Sequence, residues 1–155
     1  MKDHQHYMQL ALEDARDAMR AGNRPIGSVI VRDDEILARA GNTMFTDHDP
    51  SAHAEVVVLR TACRRLSTVE LPGSTLYTTV EPCPMCLWVL LEAKVARLVM
   101  GGRYASMGGY RLGRYAVESF LEFTDRRLEI VTGVMQAQCE ALRSEWAKAQ
   151  ARVAQ

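Results

Sequence analysis

Three side chains in this sequence have the types and spacing of a metal-ligand set: His53, Cys83 and Cys86. The cysteines stand in the run Glu81-Pro82-Cys83-Pro84-Met85-Cys86, and the histidine opens His53-Ala54-Glu55 further upstream. Two thiols and one imidazole are donors that zinc accepts. Three protein ligands leave a tetrahedral zinc with one open position, the arrangement of a catalytic rather than a structural centre. One Zn²⁺ per chain is therefore the expected cofactor. A structural centre would need a fourth ligand, for which His48 and Glu55 are the nearby candidates.

The surroundings suit that chemistry. Cys83 and Cys86 are three apart, and Pro84 marks the first turn of a helix, so both sulfurs can face one metal. The unpaired N–H groups and partial positive charge of a helix N-terminus favour thiolate over thiol. His53 and Glu55 are two apart near the start of another helix. In a helix interior they would diverge, but in a first turn both reach a site beyond the helix end. Zinc lowers the pKa of bound water from about 15.7 to about 7, on the order of 12 kcal/mol toward hydroxide. Glu55, a carboxylate beside the metal and uncommitted to it, is the expected acid/base. It can take a proton from the zinc-bound water and pass it on to a bound substrate.

The elements that must position these residues follow from periodicity. Residues 4–21 carry apolar side chains at helical spacing and stop at Gly22-Asn23. Residues 26–31 form an apolar run rich in β-branched residues, Asp33-Asp34 is a turn, and residues 36–40 follow as a second strand, so the two read as a hairpin. Asp49-Pro50 predicts an N-cap followed by a first-turn proline, with a helix over 51–66. A strand over 75–80 leads into the cysteine run, whose helix extends to about residue 93. A strand at 97–100, a Gly- and Tyr-rich stretch at 101–113, a short helix at 114–121, a strand at 128–132 and a helix at 135–150 follow. Strand–helix alternation after residue 70 predicts parallel pairing with crossover helices, and the hairpin makes the sheet mixed. The strand over 75–80 then delivers the cysteines to the carboxyl edge of the sheet, where open α/β sheets bind ligands.

At 155 residues, with 48% hydrophobic and 25% charged residues, the chain reads as one domain, residues 1–155, with a sizeable core. The 19 basic and 19 acidic residues balance, which weighs against a dedicated nucleic-acid binder without excluding a local basic patch. No run is long and apolar enough to span a membrane, the N-terminus lacks the apolar core of a signal peptide, and a cytoplasmic location is expected. In such a chain a Cys-x-x-Cys pair points to metal or redox chemistry rather than to disulfides. Cys63 and Cys139 sit in helical patterns and read as small buried hydrophobes.

His53-Ala54-Glu55 with Pro82-Cys83-Pro84-Met85-Cys86 resembles the H-x-E…P-C-x-x-C signature of zinc-dependent nucleobase deaminases of the cytidine deaminase-like superfamily. The likeness extends to Pro25-Ile26-Gly27-Ser28, Gly41-Asn42, Asp49-Pro50-Ser51-Ala52 and Thr75-Leu76-Tyr77, covering roughly residues 5–101. It is closest to the branch holding tRNA adenosine, guanine and fungal-type cytosine deaminases. The resemblance implies a three-layer α/β/α fold with a five-stranded mixed sheet and helices on both faces. It implies a hydrolase that releases ammonia from an amino-substituted base, nucleoside or related heterocycle. His53, Cys83 and Cys86 would bind zinc, Glu55 would move the proton, and Asn42 and the backbone N–H of Ala54 would contact the substrate. A homodimer is implied as well.

The tRNA enzymes of that branch carry Asp-x-Lys-x-Gly after an arginine. Here the segment reads Arg103-Tyr104-Ala105-Ser106-Met107-Gly108, keeping arginine and glycine but not aspartate and lysine. Residues 146–152 hold only two basic side chains. Both features rank a small heterocyclic substrate ahead of tRNA wobble adenosine, which stands as the alternative. Yet the acidic, aromatic-rich C-terminal segments of guanine and cytosine deaminases are missing too. Tyr104, Tyr110 and Tyr115 fall where the active site is expected, and Tyr104 is the candidate to stack on a flat ring. Trp88 reads as a core tryptophan, with a pocket or dimer role as the alternative, and Glu81 as either a support for the site or a solvated turn charge. Two other classes fit less well. A thioredoxin-like oxidoreductase shares strand, Cys-x-x-Cys and helix, but this chain has no proline after Pro84, and His53-Ala54-Glu55 would go unexplained. A catalytically dead binding protein is opposed by the intact Glu55.

Overall fold

Alternation along the central strands sorts their side chains into two apolar sets, and each set is covered by its own helices. In the computed structural model, described for residues 3–108 and 112–154, five strands form one mixed sheet in the order β2-β1-β3-β4-β5. The elements are α1 (His4–Arg20), β1 (Gly27–Arg32), β2 (Glu35–Gly41), α2 (Ala54–Leu66), β3 (Thr75–Val80), α3 (Pro84–Glu92), β4 (Arg97–Gly102), α4 (Val117–Phe123), β5 (Glu129–Val131) and α5 (Gln136–Val153). β1 runs antiparallel to β2 and β3, whereas β3, β4 and β5 are parallel. Val29, Val31, Tyr77 and Val99 pack with Tyr7, Met8 and Leu12 of α1 and with Cys139 and Leu142 of α5. Ile30, Leu76, Leu98 and Met100 pack on the opposite face with Val58 and Leu59 of α2, Leu87 and Leu90 of α3, and Val117 and Leu121 of α4. The three-layer α/β/α arrangement matches the expectation.

Antiparallel β1 has a consequence for the site. Its first residue lies beside the last residues of β3, and Gly27 N donates to Thr79 Oγ1 at 3.1 Å. Residues 24–26 therefore enter the carboxyl edge of β3, next to the cysteine turn.

Several boundaries differ from expectation for identifiable reasons. The helix expected from residue 51 begins at Ala54, with His53 in extended conformation at its N-cap. Asp49 does not cap it. Its carboxylate accepts instead from Ser51 N at 2.8 Å and Ser51 Oγ at 2.7 Å, closing a local turn. The helix expected over 114–121 begins at Val117, whose N–H is taken by the distant carboxylate of Glu81 at 2.9 Å. β5 is shorter than expected and α5 longer. Trp88 is 40% exposed rather than a core residue. It packs edge-on against Phe120 and carries the Arg126 guanidinium over its ring. Cys139 is buried as expected, and Cys63 half-buried.

α1 approaches the start of β1 so closely that only glycine fits at residue 27. A Cβ there would lie 1.9 Å from Ala11 O and 2.7 Å from Ala15 N, both backbone atoms. No rotamer change relieves such a contact, so α1 must shift. Gly27→Ala is expected to destabilise the fold by about 1–3 kcal/mol, read as a lower urea midpoint at unchanged m-value.

Candidate active site

Two helix N-termini meet at the carboxyl edge of β3. Cys83 is the N-cap of α3 and Pro84 its first residue, which places Cys86 in the first turn. His53 holds the same cap position on α2, with Ala54 and Glu55 as the first two helical residues. Because caps lie outside the helical spiral, His53 and Cys83 can turn toward each other. His53 Nδ1 stands 3.6 Å from Cys83 Sγ and 3.4 Å from Cys86 Sγ, and the sulfurs are 3.5 Å apart. A tetrahedral zinc with ordinary Zn–S and Zn–N bonds sets these edges at about 3.8 Å for S···S and about 3.6 Å for N···S. The triangle thus has the size that a zinc ion requires, and these are the residues that would hold it. His53, Cys83 and Cys86 are also the metal-capable cluster found among the described residues.

Protonation of the three donors points the same way. The Cys83 thiol is drawn down to about 4, first by its hydrogen bond with Cys86 and next by that with His53. Cys86, bonded to Cys83 and buried, is pushed up. His53 is raised chiefly by its hydrogen bond with Cys83. Protons held by this cluster are what a metal displaces on binding.

Glu55 is 3% exposed. Burial, with the negative charge of Cys83, pushes its carboxyl up to about 7. Thr78 Oγ1 lies 3.2 Å from Glu55 Oε1 and 3.1 Å from the Val80 carbonyl, so its single proton can serve either oxygen. The sequence reading passed over Thr78. The signal was available, since a threonine between Leu76 and Val80 shares the inward face of β3.

His53, Glu55, Cys83 and Tyr104 line one cavity of about 360 Å³, together with Arg24 and Arg143. That size lies near the lower end of the range for small-ligand sites, roughly 300–1,000 Å³. Tyr104 is buried, and its phenol is pushed up by burial and then by the charge of Glu55, which keeps it neutral. Tyr115 lies 6.0 Å from Tyr104 between ring centroids and donates from its hydroxyl to Pro82 O at 2.6 Å. Tyr110 lies outside the described residues. Asn42 and Ala54 are buried but do not line the cavity. Asn42 Oδ1 accepts from Met44 N at 3.0 Å, while its Nδ2 is buried with no partner among the described residues. Trp88 takes no part in the cavity wall. Arg24 and Arg143 were not anticipated, because nothing local marks either as facing the site.

Residues 1–102 match the cytidine and deoxycytidylate deaminase zinc-binding region. The chain belongs to that family. It is a zinc-dependent deaminase, a hydrolase, and among the described residues the triangle above is the group that could hold its zinc. A tRNA-specific adenosine deaminase of Bacillus subtilis (strain 168) is 37% identical over 140 residues, covering 89% of this chain and 84% of that protein. A guanine deaminase of the same organism is 41% identical over 93 residues, 59% of this chain and 60% of that one. A solved structure from work on A-to-I editing by tRNA:A34 deaminases at the wobble position of transfer RNA superposes with a TM-score of 0.79. It is 35% identical, with 90% of this chain and 99% of that chain covered. Among the described residues no helix is long and apolar enough to cross a membrane.

Removing either sulfur opens the triangle. Cys83→Ala and Cys86→Ala are each expected to purify with less than a tenth of the wild-type zinc and to melt at lower temperature than the zinc-loaded protein. Metal analysis and thermal denaturation check this, and a full zinc complement in either variant would remove that cysteine from the ligand set.

Proposed function

We propose that this protein deaminates an adenosine within transfer RNA to inosine, with Glu55 as the proton-moving residue. The observation that carries the RNA substrate is the similarity to tRNA-specific adenosine deaminases across nearly the whole chain. The sequence match to a guanine deaminase covers 59% of the chain, and a solved guanine deaminase structure that superposes on nearly all of it is only 23% identical and speaks for the fold alone. The expectation of a free heterocycle, drawn from the neutral charge and the altered loop at residues 103–108, yields to that breadth. Net charge is a property of the whole surface, whereas an RNA loop meets only the rim of one cavity.

Bound zinc would acidify a water molecule for attack on C6 of the base. The protein's own residues then govern where protons go. Glu55 is buried beside the donor triangle and held through one oxygen by Thr78, so it can take the water proton, deliver it to the ring nitrogen and supply the departing amine. The balance is adenosine plus water giving inosine plus ammonia. Tyr104 forms a neutral aromatic wall on which the purine stacks. Asn42 Nδ2, unpartnered among the described residues, and the first-turn N–H of Ala54 lie behind the present cavity wall and would serve as donors to a base seated past it. Residues 1–155 act as one catalytic domain, and the setting is cytoplasmic.

The test is ammonia release from an RNA stem-loop with adenosine at the wobble position, beside free bases and nucleosides. Glu55→Ala should retain zinc and lose turnover by about 10²–10⁴-fold. Tyr104→Ala and Asn42→Ala should lower kcat/KM. Undiminished turnover in Glu55→Ala would end the mechanism, and turnover of a free base alone would end the RNA reading.

The assembly proposed is a homodimer. Met85 and Trp88 of α3 are exposed beside the zinc-bearing turn, an apolar face that a second copy would cover. Light scattering should give twice the chain mass of 17.3 kDa, and a monomer at micromolar concentration would refute it.

A further inference from the structure

We infer that Thr78 is a positioning residue that keeps the Glu55 carboxylate off the zinc, and so preserves the open fourth position that a catalytic centre needs. The inference rests on the proposed proton-moving role of Glu55 and on no particular substrate. Without the Thr78 hydroxyl, Glu55 becomes a fourth protein ligand, and the donor set of a catalytic centre turns into that of a structural one.

A carboxylate is an ordinary zinc ligand, and Glu55 is placed to become one. It follows His53 in the first turn of α2 and lines the same cavity as His53 and Cys83. Yet the donor atoms of His53, Cys83 and Cys86 all lie within 4.8 Å of one another, and the carboxylate of Glu55 falls outside that group. The side chain stands off from the triangle although its chemistry suits it to join. The position of α2 does not explain this, because the same helix end brings His53 in. The restraint must act on the Glu55 side chain itself.

Thr78 supplies that restraint. Its Oγ1 lies 3.2 Å from Glu55 Oε1, and both side chains are buried. A hydrogen bond to a carboxylate is stronger in such surroundings than in water. Thr78 cannot follow the carboxylate toward the donors. It sits on β3, the middle strand of the sheet, paired with Ser28 of β1 on one side and Met100 of β4 on the other. Branching at Cβ restricts its χ1, and the hydroxyl has a second contact of 3.1 Å to the Val80 carbonyl. The hydroxyl is thus a fixed post, and the carboxylate oxygen that it engages is held with it.

A neighbouring residue separates this role from that of a hydroxyl merely tolerated in the core. Ser28 lies directly opposite Thr78 across β1 and β3, so the two side chains share one face of the sheet. Ser28 is as fully buried as Thr78, and its Oγ has no hydrogen-bond partner among the described residues. The two hydroxyls occupy one cross-strand pair and differ in the bond to Glu55. Loss of a buried hydroxyl as such is therefore measured at Ser28, and loss of the hold on Glu55 at Thr78.

The experiment measures zinc affinity by competition with a chromophoric chelator, which needs no substrate, beside kcat and KM on the wobble-adenosine stem-loop. Thr78→Val should bind zinc about 10- to 100-fold more tightly than the wild type and lose kcat by a similar factor, the scale on which residues behind the ligands alter a metal site. KM should change little. Thr78→Ser, which keeps the hydroxyl, should stay close to the wild type in both measurements, and so should Ser28→Ala. Glu55→Gln alone should bind zinc as the wild type does. In that background Thr78→Val should no longer tighten binding, since zinc takes carboxylate rather than amide side chains. Melting temperatures verify that each variant folds, and Thr78→Ala takes the place of Thr78→Val if the latter does not. Zinc affinity unchanged or weaker in the folded hydroxyl-free variant would overturn the inference, whatever its kcat. So would tightening that survives Glu55→Gln, or weaker zinc binding in Glu55→Gln alone. If the stem-loop is not deaminated, the RNA reading falls separately, and the zinc affinities decide the role of Thr78 by themselves.

Discussion

One buried carboxylate ties together the segments that shape the site. Glu81 is 1% exposed and directly follows the strand that delivers the cysteines. Its Oε2 accepts from Arg103 Nε and Tyr104 N, each at 3.0 Å. Its Oε1 accepts from Val117 N at 2.9 Å and from the second guanidinium arm at 3.3 Å. Burying a carboxylate is costly, and breaking such a group from its partners typically loses about 3–5 kcal/mol. Here charge-assisted hydrogen bonds offset that cost. The result is that the cysteine turn, the segment carrying Tyr104 and the start of α4 share one anchor. Arg103 extends it to Glu118 at 2.6 Å.

That anchor matters because the donor triangle tolerates little error. The sulfur and nitrogen atoms must stay within a few tenths of an ångström of a zinc-sized triangle, yet they come from two helices that β3 separates in sequence and that meet only through packing. The solution uses helix caps. A cap residue keeps extended backbone and points along the helix axis, so His53 and Cys83 meet between the ends of α2 and α3. The same choice leaves first-turn N–H groups at the site and sets Glu55 just inside α2, where the core raises its proton affinity. Ligand geometry and the tuning of the acid/base thus follow from one placement.

Features governed by near neighbours in sequence were legible from it. The five strands and their two faces follow from period-two alternation, and the donor set follows from residue type and spacing. What escaped depends on distant partners. Asp49-Pro50-Ser51 has the form of a helix cap, but the hydrogen bonds to Ser51 close a turn first, and α2 waits until Ala54. Glu81 could not be told from a surface charge because its partners Arg103, Tyr104 and Val117 lie beyond the next helix. Trp88 looked like core, yet in the single chain only Phe120 at its edge and Arg126 over its ring cover it among the described residues, and it stays 40% exposed. Arg143 sits in a helix whose sequence shows no polar stripe aimed at a site, and only the packing of α5 on β4 turns it inward.

The loop at residues 103–108 shows how far family pattern can be read as substrate chemistry. Arg103 and Gly108 are the positions kept from the tRNA-enzyme pattern, and both have architectural reasons to stay. Arg103 is spent on Glu81 and Glu118. Gly108 has φ +84°, where any side chain is strained. The two positions that changed are of another kind. Tyr104 faces the cavity that holds Glu55, and Ser106 bonds to Glu140 at the edge of the neighbouring one. The frame of the loop is therefore retained while its contacts have passed from charged to aromatic and neutral side chains. A site that gives up a lysine in this way must find positive charge elsewhere if its ligand carries phosphate. Arg24 and Arg143, from elements outside the loop, line the same cavity, so the missing lysine is by itself weaker ground for a small uncharged substrate than the sequence alone suggests.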